Sequence, residues 1–150
     1  MTQQSEKQGT SSHPLVQKVL TTKIPVAELI GFEPVEIEGG RAVILLQAGP
    51  HHANPMGTLH GGILCDIADA AMGMAFTSTL AQDETFTTIE LGINYFRPFW
   101  TGLLRAEAKV INRGSTFGFI ECEVTDERNR LIAKASSTCT ALRGDRAKGR

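Results

Sequence analysis

The sequence has 150 residues, a formal net charge of −1, and 41% hydrophobic against 21% charged residues. Such a chain is long enough for one domain with a sizeable core, and its near-neutral charge excludes a general attraction to nucleic acid or to an anionic membrane. Charges or prolines interrupt each apolar run, so no membrane-spanning helix is expected. The three cysteines, at positions 65, 122 and 139, match no metal or redox motif. They favour buried thiols in a reducing cytoplasm.

The two ends of the chain differ in composition from its middle. Residues 1–13 are polar and lack the apolar core of a signal peptide, and we expect them to form a disordered tail. Residues 144–150 are predicted to be a polar C-terminal tail. Residues 14–143 contain no repeat or linker, so they are expected to form a single domain.

The first part of that domain contains short elements. Residues 14–22 have weak helical spacing, and residues 26–30 add another predicted turn. Residues 32–37 and 42–47 are predicted to be strands joined by Gly39-Gly40, because both turn positions of such a hairpin take positive φ.

Residues 59–80 are the only long stretch with helical character. Apolar or small residues occupy nearly every face, which is typical of a buried helix. After His60, its only ionisable side chains are Cys65, Asp66 and Asp69.

Four stretches with period-two alternation follow and are predicted to be strands. Turn formers at residues 112–114 and 126–130 indicate antiparallel hairpins between them. The sequence therefore predicts an α+β fold, with a curled antiparallel sheet of about six strands wrapped around one long central helix. In the first stretch, strict alternation places one set of residues on one face (Ile89, Leu91, Ile93, Tyr95) and a second set on the other (Thr88, Glu90, Gly92, Asn94).

The start of the long helix carries the strongest chemical signal. Gly61-Gly62 opens it, although each glycine in a helix costs about 1 kcal/mol relative to alanine. One reason to keep them is a ligand close to the unpaired N–H groups of the helix N-terminus, which suit a developing oxyanion. Tight packing is the other reason, and the residues alone favour neither explanation over the other.

Asp69 is the candidate acid–base residue. An unpaired carboxylate within an apolar helix must find hydrogen bonds or raise its pKa, and such carboxylates beside clefts are candidate bases or nucleophiles. A structural Asp satisfied by a nearby hydroxyl is the alternative. Asp66 competes for the role one turn earlier, although a position at the solvent edge suits it better.

Other catalytic arrangements lack support. His51 and His52 are adjacent and do not share a helix face, and there is no His-Glu-x-x-His or Cys-x-x-Cys frame. We therefore expect no metal site and no cofactor. No Gly-x-Ser-x-Gly elbow is present, which argues against a serine triad.

The spacing of Gly61 and Asp69 constrains any site that uses both. Eight residues on one helix separate them by about 12 Å along the axis, too far for both to touch one carbonyl carbon. If both are catalytic, two chains share each site. Antiparallel helices about a two-fold axis would bring the start of one near the middle of the other.

These residues resemble the PaaI-type branch of the hotdog-fold acyl-CoA thioesterases. The matching positions are Asn54, residues 57–62, Asp69 among small residues, and residues 87–98 as the strand after the central helix. The resemblance covers roughly residues 32–142. It implies the hotdog fold, a homodimer with a continuous sheet that often pairs into a tetramer, and hydrolysis of acyl-CoA thioesters.

The resemblance also implies roles for individual residues. The Gly61 N–H polarises the thioester carbonyl, and Asn54 helps to orient that carbonyl or the water. Asp69 of the partner chain is the general base or the nucleophile. Thr88 holds the water or the Asp, with Thr87 as an alternative because the spacing varies. His60 supports the helix start, and Gly62 binds substrate. Because the phosphates of CoA need cations, the arginines near loops are candidates to bind them: Arg97, Arg113, Arg128 and Arg130.

Three rival functions remain open from the sequence. An enoyl-type hydratase needs a His acting with a carboxylate, and the flanking Asp and His of its motif are missing around Asn54-Pro55. An acyl-CoA sensor needs neither Asn54 nor Asp69. A purely structural oligomer leaves Gly61-Gly62 and Asp69 unexplained. The acyl group itself is not indicated by the residues.

Overall fold

The chain is seen in a computed structural model that describes residues 11–150. The described residues contain three α-helices and six β-strands, in the order that the sequence predicts. Short 3₁₀ segments at Pro50–His52 and Gly144–Ala147 add to them. In chain order the main elements are α1 (Pro14–Thr21), α2 (Pro25–Ile30), β1 (Phe32–Glu38), β2 (Arg41–Ala48), α3 (Gly61–Thr77), β3 (Thr85–Tyr95), β4 (Gly102–Arg113), β5 (Phe117–Asp126) and β6 (Leu131–Leu142).

Local sequence explains where the first helices begin and end. α1 and α2 each begin at a proline, whose fixed φ suits the first helical position. His13 caps α1 by accepting a hydrogen bond from the Leu15 N–H at 3.1 Å. α2 ends at Gly31, whose φ of 95° is the left-handed conformation that terminates many helices.

The turn between β1 and β2 has the predicted form. Gly39 and Gly40 have φ values of 58° and 79°, which suit a two-residue hairpin turn and are strained for other residues. The Gly40 N–H donates a hydrogen bond to the Ser78 hydroxyl at 2.9 Å, just beyond α3. The hairpin is thereby tied to the end of the central helix.

The six strands form one antiparallel sheet in the order β1-β2-β4-β5-β6-β3. β1 and β3 are its edges, so one side of the 11-residue β3 has no strand neighbour within residues 11–150. α3 packs against all six strands, and the sheet curls around it. This arrangement confirms the predicted α+β fold.

The predicted alternation is confirmed on β4, β5 and β6. Their inward side chains are buried and mostly small, while their outward side chains are largely charged or polar. Small inward residues let α3 approach closely: the Phe76 ring lies over Gly118, where a Cβ would sit 2.4 Å from Phe76 Cε2. The buried inward residues include Leu104, Ala106, Ala108, Ile120, Cys122, Val124, Ala133, Ala135 and Cys139.

β3 departs from the predicted alternation at Ile89. A β-bulge between Thr88 and Glu90 interrupts its pairing with β6, and Ile89 is 59% exposed. Because a bulge adds one residue, the strand changes face across it. Thr88 therefore lies on the inward face with Leu91, and the prediction that it faces away with Glu90 is wrong.

α3 is not buried on every face of the single chain, contrary to what its apolar composition predicted. Most of its residues pack on the sheet, but Asp66 and Asp69 are exposed. Residues three apart lie on one side of a helix, so the two carboxylates share an open face of α3.

Residues 1–10 of the predicted N-terminal tail lie outside the described residues. His13, the last residue of that predicted tail, is only 5% exposed and belongs to the packed domain. Cys122 and Cys139 are buried as predicted, whereas Cys65 is half-buried. No helix within residues 11–150 is both long and apolar enough to cross a membrane.

Candidate active site at the start of the central helix

His60 organises the first turn of α3. Its Nδ1 accepts a hydrogen bond from the Gly62 N–H at 2.9 Å, and its carbonyl accepts one from Ile63 at 3.0 Å. Its own N–H donates to the His52 carbonyl at 2.9 Å. His60 is thus an N-cap that satisfies two of the donors that a helix start leaves free.

Tyr95, at the end of β3, holds the same turn from the other side. Its hydroxyl donates to the Gly61 carbonyl at 3.0 Å. A Cβ on Gly61 would sit 3.0 Å from Tyr95 Oη, and a Cβ on Gly62 would sit 2.9 Å from His60 Nδ1. Close packing therefore accounts for both glycines, which was one of the two explanations that the sequence left open.

The Gly61 N–H is the free donor of this turn. It has no acceptor within residues 11–150, whereas the N–H groups of Gly62 and Ile63 are both bonded to His60. The structure thus leaves the predicted polarising group, the Gly61 N–H, available to a ligand. The Gly62 N–H, predicted to bind substrate, is already used by the cap.

Asn54 is committed to its own loop. Its Oδ1 accepts hydrogen bonds from Met56 at 3.0 Å and from Thr58 at 3.2 Å, and its Nδ2 donates to the Thr58 hydroxyl at 2.9 Å. These bonds fix the segment that leads into α3. One Nδ2 hydrogen remains for a substrate or a water, so the predicted orienting role of Asn54 stays a prediction.

His52 is the anchor beneath this loop. Its Nδ1 accepts from the Gly49 N–H at 3.1 Å, so its Nε2 carries the proton and donates to the Ile30 carbonyl at 2.6 Å. The side chain is buried and ties the loop to the end of α2. No group of three or more metal-binding side chains lies close together in the described part of the chain.

A cavity of about 310 Å³ opens beside the start of α3. Arg97 is at its edge and makes no ion pair with any described residue. A free cation beside a free N–H suits an anionic ligand. The lining includes Gly61, Leu64, Tyr95, Phe96, Arg97 and Phe99.

Arg113 lies at the other end of α3. Its Nε donates to the Thr79 hydroxyl at 2.9 Å, and its guanidinium lies 4.8 Å from the centre of the Phe76 ring. α3 runs from Gly61 to Thr77, so roughly 24 Å of helix separates its two ends. The structure therefore brings Arg97, but not Arg113, to the cavity at Gly61.

Asp69 has the perturbed pKa that the sequence predicted. The residue is exposed in the single chain, yet partial burial of its carboxyl group raises its pKa, and the nearby negative charge of Asp66 raises it further. Burial also raises the pKa of Asp66, while the nearby His60 ring opposes that rise. Neither carboxylate makes a hydrogen bond or an ion pair with the described residues.

Thr88 and Asp69 both lie near Cys139. The Thr88 hydroxyl is 3.6 Å from the Cys139 sulfur. Burial raises the pKa of that thiol, the contacts with Thr88 and Ser137 oppose the rise, and the charge of Asp69 adds to it. Thr87 pairs with Thr140 on the outward face of the sheet. Of the two candidates that the sequence left open, Thr88 is the one on the side of α3.

Tyr95 was missed as a site residue by the sequence reasoning. Alternation placed it on the apolar face of β3, where an aromatic ring needs no further explanation. The available signal was its hydroxyl, since a tyrosine that packs inward usually bonds through its O–H. Nothing in the linear sequence says that this partner is the Gly61 carbonyl.

Known proteins are similar to this chain in sequence and in fold. The family model of the thioesterase superfamily matches residues 56–133, just over half of the chain. The chain is 32% identical to the 1,4-dihydroxy-2-naphthoyl-CoA hydrolase of Listeria monocytogenes, over 75% of this chain and 90% of that protein. A conserved protein of Pseudomonas aeruginosa, whose structure is solved, is 33% identical with a TM-score of 0.76, over 80% of this chain and 95% of that one. The E. coli PaaI protein from the phenylacetic acid degradation operon shares the fold at 24% identity, with a TM-score of 0.75 over 81% of this chain and 87% of that one.

The chain belongs to the thioesterase superfamily and is a thioester hydrolase. Within the superfamily it is PaaI-like and has the hotdog fold, as the resemblance implied. The predictions of family, fold class and enzyme class are therefore confirmed.

Proposed function

We propose that this thioesterase hydrolyses an acyl- or aryl-acyl-CoA thioester to the free acid and CoA. The observation that carries the proposal is the unpaired Gly61 N–H, which lies at the start of α3 beside an open cavity. Such a donor stabilises the negative charge that develops on a thioester oxygen when its carbonyl carbon is attacked. The positive end of the helix dipole adds to this effect.

Each active site combines two chains of a homodimer. Gly61 and Asn54 come from one chain, and Asp69 and Thr88 come from its partner. The 12 Å or so between Gly61 and Asp69 along α3 prevents one chain from supplying both. The open edge of β3, with Ile89 exposed on it, supports a partner that continues the sheet and covers the open face of α3.

The reaction needs one attack on the carbonyl carbon and the loss of one thiolate. As a general base, Asp69 removes a proton from water, the oxygen of that water bonds to the carbonyl carbon, and the C–S bond breaks to release CoA. As a nucleophile, the Asp69 carboxylate forms a mixed anhydride with release of CoA, and water then hydrolyses the anhydride. Thr88 positions the water or the carboxylate in either route.

The substrate has an anionic end and an acyl end. Arg97, which lines the cavity, binds a CoA phosphate, and the aromatic residues Phe96 and Phe99 bind an aryl or acyl group. The naphthoyl-CoA named for the Listeria relative supports an aryl group. Two such dimers pair into a tetramer. The three free thiols accord with a reducing cytoplasm.

The experiment that tests the function is release of free thiol from a panel of CoA thioesters. The panel contains acetyl-CoA, a long-chain acyl-CoA, phenylacetyl-CoA, a naphthoyl-CoA and crotonyl-CoA. We expect catalytic thiol release from at least one member and no hydration of the crotonyl double bond. Tight binding without thiol release would indicate a sensor, and hydration would indicate the hydratase; either result overturns the proposal.

A further inference from the structure

The peptide group between Gly61 and Gly62 is held at both of its ends. Its N–H, on Gly62, donates to His60 Nδ1 at 2.9 Å, and its carbonyl, on Gly61, accepts from Tyr95 Oη at 3.0 Å. Glycine has more backbone freedom than any other residue, so a Gly-Gly pair without such contacts would sample several orientations. The free Gly61 N–H is the amide immediately before this peptide.

The Tyr95 ring adds a steric contact to the hydrogen bond. It lies against Gly61 so closely that a Cβ there would be 3.0 Å from Tyr95 Cζ. The ring also lines the cavity at the start of α3, and the residue is 51% exposed. Tyr95 therefore contacts the helix start on one side and the space for a ligand on the other.

The Tyr95 hydroxyl is a dependable donor. The Cys65 sulfur lies 3.4 Å from it. This contact is the main cause, and partial burial the second, that raises the pKa of Tyr95 to about 12. The hydroxyl consequently keeps its proton at neutral pH and can donate to the Gly61 carbonyl.

We propose that Tyr95 is a positioning residue of the thioesterase site, which together with His60 fixes the Gly61–Gly62 peptide so that the Gly61 N–H points into the cavity. The inference rests on the proposed function of that N–H. Tyr95 does not take part in bond making. It acts by reducing the motion of the donor that meets the developing oxyanion.

Tyr95→Phe is the variant that tests this role, because it removes the hydroxyl and keeps the ring. We expect kcat to fall roughly 10-fold with little change in KM, since a loosened donor weakens transition-state stabilisation more than substrate binding. Thr138→Val is the matched control: it removes a hydroxyl from the outward face of β6, the strand next to β3, and should leave both constants unchanged. An unchanged kcat in Tyr95→Phe would overturn the proposal.

A double-mutant cycle with His60→Ala separates positioning from general loss of structure. Both side chains hold one peptide, so their effects on kcat should not multiply, and the double variant should be little worse than the worse single variant. If the two losses of kcat multiply instead, Tyr95 and His60 do not act together as a clamp on the Gly61–Gly62 peptide. The exchange rate of the Gly62 amide hydrogen should rise in Tyr95→Phe, and an unchanged rate would also contradict it.

Tyr95 is the only tyrosine of the chain, which permits a test on the unmutated protein. Growth with 3-fluorotyrosine labels this position alone, and its ¹⁹F resonance should move when a non-hydrolysable acyl-CoA thioether binds. A resonance that does not move at saturation overturns the placement of Tyr95 at the site, even if Tyr95→Phe fails to fold. If the wild type releases no thiol from any CoA thioester, the proposed function fails, and the Gly62 exchange rate still decides whether the clamp exists.

Discussion

The outer face of the sheet and the open face of α3 differ in whether their carboxylates are paired with basic side chains. On the sheet, Glu107 of β4 is bonded to Arg41 at 3.0 Å and to Arg105 at 3.2 Å, and Lys109 lies 3.5 Å from it. On the open face of α3, Asp69 makes no hydrogen bond or ion pair with any described residue. The charges around Glu107 are paired within a single chain, whereas the carboxylates on the open face of α3 are not paired with any described residue.

The pKa values follow this difference. Hydrogen bonds from Arg41 lead the causes that lower the pKa of Glu107 to about 2, whereas burial raises the pKa of Asp69. A paired carboxylate stabilises the fold, while an unpaired and partly desolvated one is costly to the fold and useful for proton transfer. The open face of α3 is therefore where a partner chain and a substrate are to be sought.

The largest expected effect is at Asp69. Asp69→Asn should keep the fold and reduce kcat by on the order of 10²-fold or more, because it removes the proposed general base or nucleophile. Steady-state thiol release with the best CoA thioester measures this loss. An unchanged melting temperature, measured on the same preparation, shows that the fold is intact.

Asp66→Asn is the matched control for that variant. It makes the same chemical change one helical turn away, on the same open face, and should alter kcat little. If Asp66→Asn is inactive while Asp69→Asn works, then the open face is catalytic but the assignment of the base is wrong.

The next effect tests whether the open face of α3 is completed by a second chain. Asp69→Asn and Asn54→Ala are each expected to be nearly inactive, the second because Asn54 holds the loop that leads to Gly61. Unfolded together and refolded, they should regain activity. Random pairing makes about half of the dimers mixed, and one site in each mixed dimer is wild type, so about a quarter of all sites should recover.

Mass spectrometry of intact dimers must show that the chains have exchanged. If each chain instead contained a complete site, every site would keep one defect and mixing would restore nothing. Absence of recovery in a sample with proven exchange would therefore remove the shared site and the reason given for the dimer.

The sequence predicted most of the fold because its signals are local. Gly39-Gly40 fixed one hairpin, and alternation identified the inward faces of β4, β5 and β6. The face of Thr88 was not predictable, because the bulge at Ile89 comes from pairing with β6 and leaves no mark in the composition of β3. The exposure of Asp69 was missed for a related reason: an apolar helix predicts burial without saying which chain provides it.

The candidate site was predictable only in part. His60 and Gly61 stand side by side in a recognisable motif, so their place at the start of α3 followed from the sequence. Tyr95 reaches Gly61 across 34 positions of sequence, through a contact that depends on how β3 ends against α3. Long-range contacts between single side chains of this kind have no periodic signature.

A third prediction concerns pH. Asp69 must be ionised to act, and its pKa is raised, so kcat/KM should increase with pH through that raised pKa and then level off, with a loss of up to tenfold per pH unit below it. Asp66→Asn removes a like charge, so it should move the midpoint to lower pH. A profile that is flat from pH 4 to about 8, with chemistry rate-limiting, would exclude a desolvated base.

The smallest effect is expected on the outer face of the sheet, where Glu107→Gln should change stability and leave kcat unaltered. The substitution removes the shared partner of Arg41 and Arg105, and a loss on the order of 1 kcal/mol would lower the melting temperature by about 2–4 °C.

Because the folded-state pKa of Glu107 is lowered from 4.5 to about 2, the stability it contributes is present above pH 4.5 and is lost as the pH falls towards 2. The variant's melting temperature should therefore depend less on pH in that range. Glu123→Gln, on the same face with one lysine partner at 3.5 Å, should shift it less. A fall in kcat for Glu107→Gln without a fall in melting temperature would show that the two faces are not separate in function.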